Sequence, residues 1–294
     1  MKPTLTVFTP TFNRAHTLCR TYQSLCRQTC MDFNWLIIDD GSTDDTRELV
    51  SDWINVEKIK IKYVYKENGG LHTGYNKAID VIDTELCVCI DSDDWMPDDA
   101  VEKILSFWDK NKRDDVAGIM GLDFYADGKP IGGYFPDGVS ELRIIDMVPK
   151  YHHQGDVKVV HRTDLLKAVA PMPVFEGEKN FNPIYLFHKV DVEYPLLLLN
   201  DNLCYVEYQP DGMTFNIFNQ YVSSPRSFSE LRRLLMSRPD VSFGYKFRNA
   251  IHYVSSQIML RNPKWLKESP EKFITLLASP FGLLLYFYIK KKAN

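Results

Sequence analysis

Two stretches decide the reading: Trp35-Leu36-Ile37-Ile38-Asp39-Asp40-Gly41-Ser42 and Leu86-Cys87-Val88-Cys89-Ile90-Asp91-Ser92-Asp93-Asp94. In each, an apolar run of strand length stops abruptly at a cluster of carboxylates. Such runs predict buried strands of an α/β sheet, with the acids released at their C-terminal ends, where open α/β sheets bind ligands. Carboxylates crowded on one rim repel one another unless a hard cation or bound donor groups compensate the charge. A divalent metal carrying phosphate is the expected occupant.

The chain around these runs supports the same sheet. Leu5 to Phe8 reads as a first strand and stops at Thr9-Pro10-Thr11-Phe12-Asn13-Arg14. A helix follows with Leu18, Tyr22 and Leu25 on one face, then the strand from Trp35 and a helix with Thr46, Leu49, Val50 and Trp53. Ile59 to Tyr65 is the third strand, and a helix through Tyr75, Ala78 and Ile79 leads to the strand ending at Ile90. Strand and helix alternate as in a mostly parallel α/β fold. Ala100 to Trp108 predicts another helix, Val116 to Gly121 a strand, Lys158 to His161 a strand and Asp164 to Val169 a short helix. Gly128 to Gly138 reads as a hairpin or an active-site loop. The division expected is a catalytic domain over 1–220 and a mainly helical extension over 221–294.

At 294 residues with 45% hydrophobic and 25% charged, the chain is of the ordinary folded class, and a net charge of -4 leaves no broad footprint for nucleic acid. The six cysteines form no CxxC pair and read as free thiols of a reducing compartment. The N-terminal apolar stretch is too short for a signal peptide, so a cytoplasmic location is expected. Near the C-terminus, Phe281 to Ile289 is followed by Lys290-Lys291-Lys292. Nine apolar or aromatic residues are too few to span a bilayer. They suit either peripheral contact with an anionic membrane or packing on the domain.

Asp93 is the candidate ligand for Mg²⁺ or Mn²⁺ bridging two phosphates, with Asp91 sharing the ion or taking a ribose hydroxyl and Ser92 allowing the turn. Asp40 can accept an N–H from a nucleotide base. Asp39 is either its neighbour in the site or a structural cap. Thr11 and Arg14 fall on the same predicted rim. Asn68-Gly69-Gly70-Leu71-His72-Thr73-Gly74-Tyr75-Asn76 is a glycine-rich entry into a helix, suited to an anion at its backbone N–H groups. It matches neither the dinucleotide fingerprint nor the P-loop. His72 and Asn76, four apart, can face one pocket.

In order and spacing, these segments over residues 3–110 resemble the inverting family 2 glycosyltransferases, whose catalytic domain has the GT-A fold. The resemblance rests on Thr9 to Arg14, Asp39 to Asp44, Asn68-Gly69-Gly70 with Asn76, and Asp91 to Asp94. It implies a nucleotide-diphosphosugar donor, usually UDP-linked, with the base and ribose near Thr11, Asp40 and Asp91 and the metal on Asp93; Thr9, Arg14, Asp39, Gly70, His72, Asn76 and Ser92 complete the candidate donor set, and Asp91 is the second candidate metal ligand. It also implies a glycan or lipid-linked saccharide acceptor and a carboxylate base about eighty residues past the Asp-x-Asp. Here that region reads Phe175-Glu176-Gly177-Glu178-Lys179. Glu178 is the first choice as base, Glu176 the second and Asp156 the third, because Lys179 stands where the family carries Asp. Acceptor choice is expected from residues 128–185, with Trp95 and Tyr134 as candidates to border the sugar. Two rival readings are a non-catalytic nucleotide-sugar binding subunit and a metal-dependent phosphohydrolase.

Overall fold

The computed structural model describes residues 3–209 and 216–293, and the chain falls into two compact units. The first unit takes Met1–Asn68, Thr73–Pro171 and Leu186–Glu207; the second takes Gly69–His72, Met172–Tyr185 and Tyr208–Asn294. The boundary expected at 220/221 falls inside a helix of the second unit, Ile217–Ser223.

In chain order the elements are β1 (Leu5–Thr11), α1 (Ala15–Cys26), β2 (Phe33–Asp39), α2 (Thr46–Val56), β3 (Ile61–Tyr65), α3 (Leu71–Val81), β4 (Leu86–Cys89), α4 (Ala100–Asn111), β5 (Gly118–Tyr125), β6 (Glu141–Leu142), β7 (Val157–Arg162), α5 (Thr163–Val169), α6 (Ile184–Val190) and β8 (Leu196–Val206). The sheet runs β3-β2-β1-β4-β7-β5-β8-β6. Strands β1 to β4 pair in parallel, and β5 pairs in parallel with β8. Only β7 and β6 run against their neighbours. The α/β, mostly parallel expectation therefore holds. What the sequence reading lacked was the reversal at β7, which ties β4 to β5.

Period-two alternation assigns the two faces. Leu5, Val7, Trp35, Ile37, Leu86 and Val88 meet Leu18 and Leu25 of α1, Val50 and Trp53 of α2, and Val101, Ile104 and Trp108 of α4 in one buried cluster. Tyr22, Trp53 and Trp35 stack inside it, Tyr22 and Trp53 with ring centroids 4.2 Å apart. Phe8, from the other face, meets Tyr75 of α3 edge-on at 5.1 Å.

The second unit adds α7 (Ile217–Ser223), α8 (Pro225–Ser237), α9 (Phe243–Met259), α10 (Trp265–Glu268) and α11 (Lys272–Ala293). Its core gathers Met236, Ala250, Tyr253, Val254, Ile274 and Ala278. The helical extension expected at the C-terminus is present. The apolar run at 281–289 turns out to be only the second half of α11, which is long and apolar enough by length and composition to cross a membrane. The sequence reading began that run at Phe281, whereas the helix begins at Lys272 and includes Pro280.

Candidate active site

Parallel pairing brings three sequence clusters to one edge. Thr11 stands beside Asp39 in the β1–β2 register, and Phe8 beside Cys89 in the β1–β4 register. The loops leaving β1, β2 and β4 thus emerge together at the C-terminal rim of the sheet, which is why acids separated by fifty residues share a site.

The first two loops are laced to each other. Asn13, at φ +54°, donates its N–H to Ser42 Oγ at 2.9 Å, and its Oδ1 accepts the Thr43 N–H at 2.8 Å. Asp44 accepts from the Ala15 N–H and the Thr46 side chain. Burial pushes the Asp44 carboxyl up, but these hydrogen bonds outweigh it and hold the group below the usual carboxylate range. Gly41 sits at φ +85°, and a Cβ there would lie 2.8 Å from the Asn68 nitrogen, so only glycine allows the Asn68 loop to close on this turn.

Adjacent carboxylates have different places. Asp39 is fully buried; Oδ1 accepts the Ser42 N–H at 2.7 Å and Oδ2 the Tyr63 hydroxyl. Its acceptor capacity goes to holding the turn. Asp40 pairs with Lys66 at 2.5 Å and accepts from Asn68 Nδ2 at 3.2 Å, while Lys66 also donates to Thr73 Oγ1 at 2.8 Å. Lys66 and Asn68 thereby fix the orientation of the Asp40 carboxylate. Thr9 is consumed by the core, its Oγ1 accepting the Trp35 indole N–H at 3.0 Å. Thr11 differs: its buried hydroxyl has no hydrogen-bond partner among the described residues.

At the β4 end, Asp91 is exposed, Ser92 and Asp94 are buried, and Asp93 lies between. The Asp94 N–H closes the turn on Asp91 O at 3.0 Å. Helix α1 fastens this turn through its backbone: Arg20 donates to Asp93 O at 2.5 Å and Thr21 Oγ1 to Asp94 O at 2.7 Å. The Arg20 guanidinium lies 3.9 Å from the Trp95 ring centroid. Beneath the turn, Lys158 Nζ stands 3.6 Å from Asp123 Oδ2 and 3.9 Å from Asp94 Oδ2, all three side chains being nearly closed to solvent. Burial pushes Asp94 up to about 8 and Asp123 to about 6, with Lys158 pulling both back and the neighbouring acids pushing them further. Burial likewise raises Asp93, helped by the negative charge of Asp91 and opposed by Arg14 and Arg20.

Lys158, Arg14 and Arg20 together face four acids, Asp91, Asp93, Asp94 and Asp123, which leaves the turn under-compensated. Among the described residues no three His, Cys, Asp or Glu side chains form a closed metal site. Asp91 and Asp93 nevertheless suit an ion of the Mg²⁺ or Mn²⁺ class, which is commonly held by one or two carboxylates with substrate phosphates completing its shell. The hard oxygen donors and excess negative charge fit that group.

The second unit carries Gly70, His72, Glu176 and Glu178. Gly70, at φ +92°, passes so close to Lys179 that a Cβ would lie 1.9 Å from its carbonyl oxygen. His72 is fully buried, its ring 6.2 Å from that of Phe181. Glu176 is exposed, whereas Glu178 is buried and accepts from the Arg226 N–H, the Ser227 N–H and Ser227 Oγ, each at 2.8 Å. Both Glu178 oxygens therefore cap the start of α8. Asn76, half-buried on α3, and Asp156, exposed before β7, belong to the first unit.

Several contributors escaped the sequence reading: Lys66, Arg20, Thr21, Asp123 and Lys158. For two of them a signal existed. Lys158 and Asp123 are lone charges inside apolar strands, and a charge there needs a buried partner. Arg20 and Thr21 look like ordinary helix-surface residues until α1 is placed on the sheet.

A cleft of about 460 Å³ in the first unit includes Phe124, Tyr134, Asn200, Asp201, Asn202 and Tyr205 in its lining. Tyr205 stacks on Trp95 at 5.5 Å, and the two residues exchange backbone hydrogen bonds. A larger depression of about 600 Å³ lies by Thr84, Glu85 and Arg162, at the opposite end of β4 from the acidic turn. Its Arg162 is already paired with Asp164 at 2.6 Å and Arg113 with Glu141 at 2.5 Å.

Several known proteins are similar to this chain in fold or sequence. The fold is similar to S. aureus TarS in complex with UDP-GlcNAc (TM-score 0.63, 16% identity, 98% of this chain and 88% of that one). It is also similar to the mannosyltransferase PcManGT from Pyrobaculum calidifontis in complex with GDP-Man and Mn²⁺ (TM-score 0.57, 16% identity, 100% and 84%). In sequence, the chain is 27% identical over 164 residues to the chondroitin synthase of Pasteurella multocida (strain Pm70), a match covering 55% of this chain and only 17% of that much longer protein. The Glycosyl transferase family 2 profile matches residues 6–163, which hold β1 through β7 and the whole acidic rim. This chain has a GT-A fold and belongs to glycosyl transferase family 2.

Proposed function

We propose that the chain moves a sugar from a nucleotide-diphosphosugar, UDP-linked, to a hydroxyl of a glycan or lipid-linked saccharide, with inversion at the anomeric carbon. The observation carrying this reading is the under-compensated turn Asp91–Asp94 beside Asp40 and the unpartnered Thr11 hydroxyl on one sheet rim. Asp40, held by Lys66 and Asn68, accepts the base N–H. Thr11 gives its hydroxyl to the nucleoside, and Arg14 adds positive charge toward the phosphates. Asp93, with Asp91, holds Mn²⁺ or Mg²⁺. When bound, that ion supplies the positive charge a departing diphosphate requires.

The acceptor lies in the cleft of Tyr134, Tyr205 and Asn200, where aromatic faces and amide groups together suit a saccharide. Part of this lining, residues 200–205 of β8, lies outside the 128–185 span expected to govern the acceptor. The base is Glu178, with Glu176 and Asp156 as the ordered alternatives. Glu178 then combines two tasks, because it also caps α8. The protein works on the cytoplasmic side, in keeping with six free cysteines, and touches the membrane peripherally.

Sugar transfer from a panel of nucleotide sugars, with Glu178→Gln, Glu176→Gln and Asp156→Asn beside the wild type, tests the reading. Loss of the base lowers turnover roughly 10²–10⁴-fold. A Glu178→Gln protein that stays folded at the assay temperature yet loses turnover supports the base assignment, with the lost cap showing only as a lowered melting temperature. Turnover that falls only in step with the unfolded fraction points to the cap alone. Donor binding without turnover on any acceptor would favour the rival sugar-binding subunit, for which Lys179 at the family's usual Asp position is the motivating feature.

A further inference from the structure

Helix α11 is apolar on two opposite sides. Inward, Ile274, Ala278 and Gly282 are buried, and Gly282 approaches α9 so closely that a Cβ would lie 2.5 Å from the Val254 side chain. Outward, Phe273, Leu276, Leu277, Phe281, Leu284 and Phe287 are exposed. These positions recur at three- and four-residue steps and form a stripe about 20 Å long. No charged residue interrupts α11 between Lys272 and Lys290. Phe243, also exposed, widens the patch through Phe247, whose ring meets Phe281 edge-on at 5.8 Å. Three exposed lysines, Lys290, Lys291 and Lys292, follow immediately.

We propose that this outward face of α11 lies in the plane of an anionic lipid surface, with the lysines on the headgroups. The inference rests on the peripheral location proposed above and is independent of the catalytic reading. Length and hydropathy alone would let the helix span. Its inner face, however, is latched to α9, which carries Arg248, Asn249, Ser255, Ser256 and Gln257. A spanning helix surrounded by lipid would have to break that packing, whereas a helix lying in the interface keeps it. A second copy of this chain fits the charge less well. Helix α11 has no acidic residue to meet the lysines, and the adjacent Glu271 is already paired with Lys246.

The test is co-sedimentation of the full chain with phosphatidylcholine vesicles and with vesicles containing about 30% phosphatidylglycerol. Three lysines predict partitioning stronger on the anionic vesicles by on the order of a hundredfold. Replacing all three by Gln should erase that preference. Leu284→Glu with Phe287→Glu should reduce binding to both vesicles at least about tenfold. The two side chains are 67% and 60% exposed, so helix content and melting temperature should not change. Washing in about 1 M salt, where screening is short-ranged, should bring anionic binding down to the neutral level. Absent or charge-independent binding by the wild type would overturn the proposal, as would unaltered binding by the double variant. So would a vesicle-free dimer that the double variant splits, or retention of the lysine-dependent binding through the salt wash. Failure of the glycosyl-transfer reading would show separately, as missing turnover with vesicle binding intact.

Discussion

Lys158→Met removes the ammonium beneath the acidic turn while keeping an unbranched side chain of similar length. In the native protein, Nζ lies 3.6 Å from Asp123 and 3.9 Å from Asp94, with all three side chains almost wholly buried. Deleting one partner of a buried pair costs about 3–5 kcal/mol while the remaining charge stays ionised. These carboxyls can escape by protonating, so the cost must depend on pH. Burial already places Asp123 at about 6 and Asp94 at about 8, against 3.8 in the unfolded chain. An acid raised on folding contributes stability that is complete below its unfolded pKa and is lost as pH climbs through the folded value. Losing Lys158 lifts both folded values further, so the variant keeps losing stability after the wild type has levelled off. The expected gap is therefore under about 1.5 kcal/mol near pH 5, where the acids are largely neutral and removing the buried ammonium offsets part of any lost packing, and about 3–5 kcal/mol near pH 9. Urea unfolding in chelator, followed by tryptophan fluorescence, measures it well, because Trp35, Trp53, Trp95 and Trp108 all lie in the first unit. A gap that stays below about 1 kcal/mol, or is the same at both ends of the pH range, would refute the argument.

Three further perturbations probe other parts of the site. Thr11→Val keeps the shape and removes the unpartnered hydroxyl, so stability should hold or rise while the donor dissociation constant increases about 2- to 10-fold; lowered stability with unchanged affinity would remove Thr11 from the donor site. Asp93→Asn should suppress Mn²⁺-stimulated turnover without lowering the melting temperature, since it relieves repulsion with Asp91, and wild-type activity that persists in excess chelator would exclude a metal role. Gly70→Ala should destabilise the protein by at least about 1–3 kcal/mol, because the residue sits at φ +92° with the Lys179 carbonyl 1.9 Å from any Cβ; an unshifted thermal transition would contradict that geometry.

The sheet and the acidic rim at its C-terminal edge were legible in the residues themselves. An apolar run of strand length followed at once by acids can be satisfied only by a buried strand that ends at solvent, and parallel strands joined by helices all end on the same side. That is why Asp40, Thr11, Asp91 and Asp93 could be assigned to one rim from order and spacing alone. Local patterning also announced α1, α2 and α4, whose apolar positions recur at the helical period. It failed where the partner is distant in sequence. The neighbouring acids Asp39 and Asp40 look equivalent in the chain, and only Tyr63 and Lys66, more than twenty residues away, make one a turn anchor and the other a held acceptor. Glu178 reads as a base by interval, yet its hydrogen bonds to Arg226 and Ser227, some fifty residues on, give it a capping task that spacing cannot reveal. The strand β7, reversed between β4 and β5, is what carries Lys158 under the acidic turn. For α11, the composition showed an apolar helix, but which side would face α9 and which would be left open depended on where Gly282 found Val254. Periodicity and strand ends are properties of a few adjacent residues, whereas pairing of charges and covering of faces are set by long-range contacts that exist only once the chain has closed on itself.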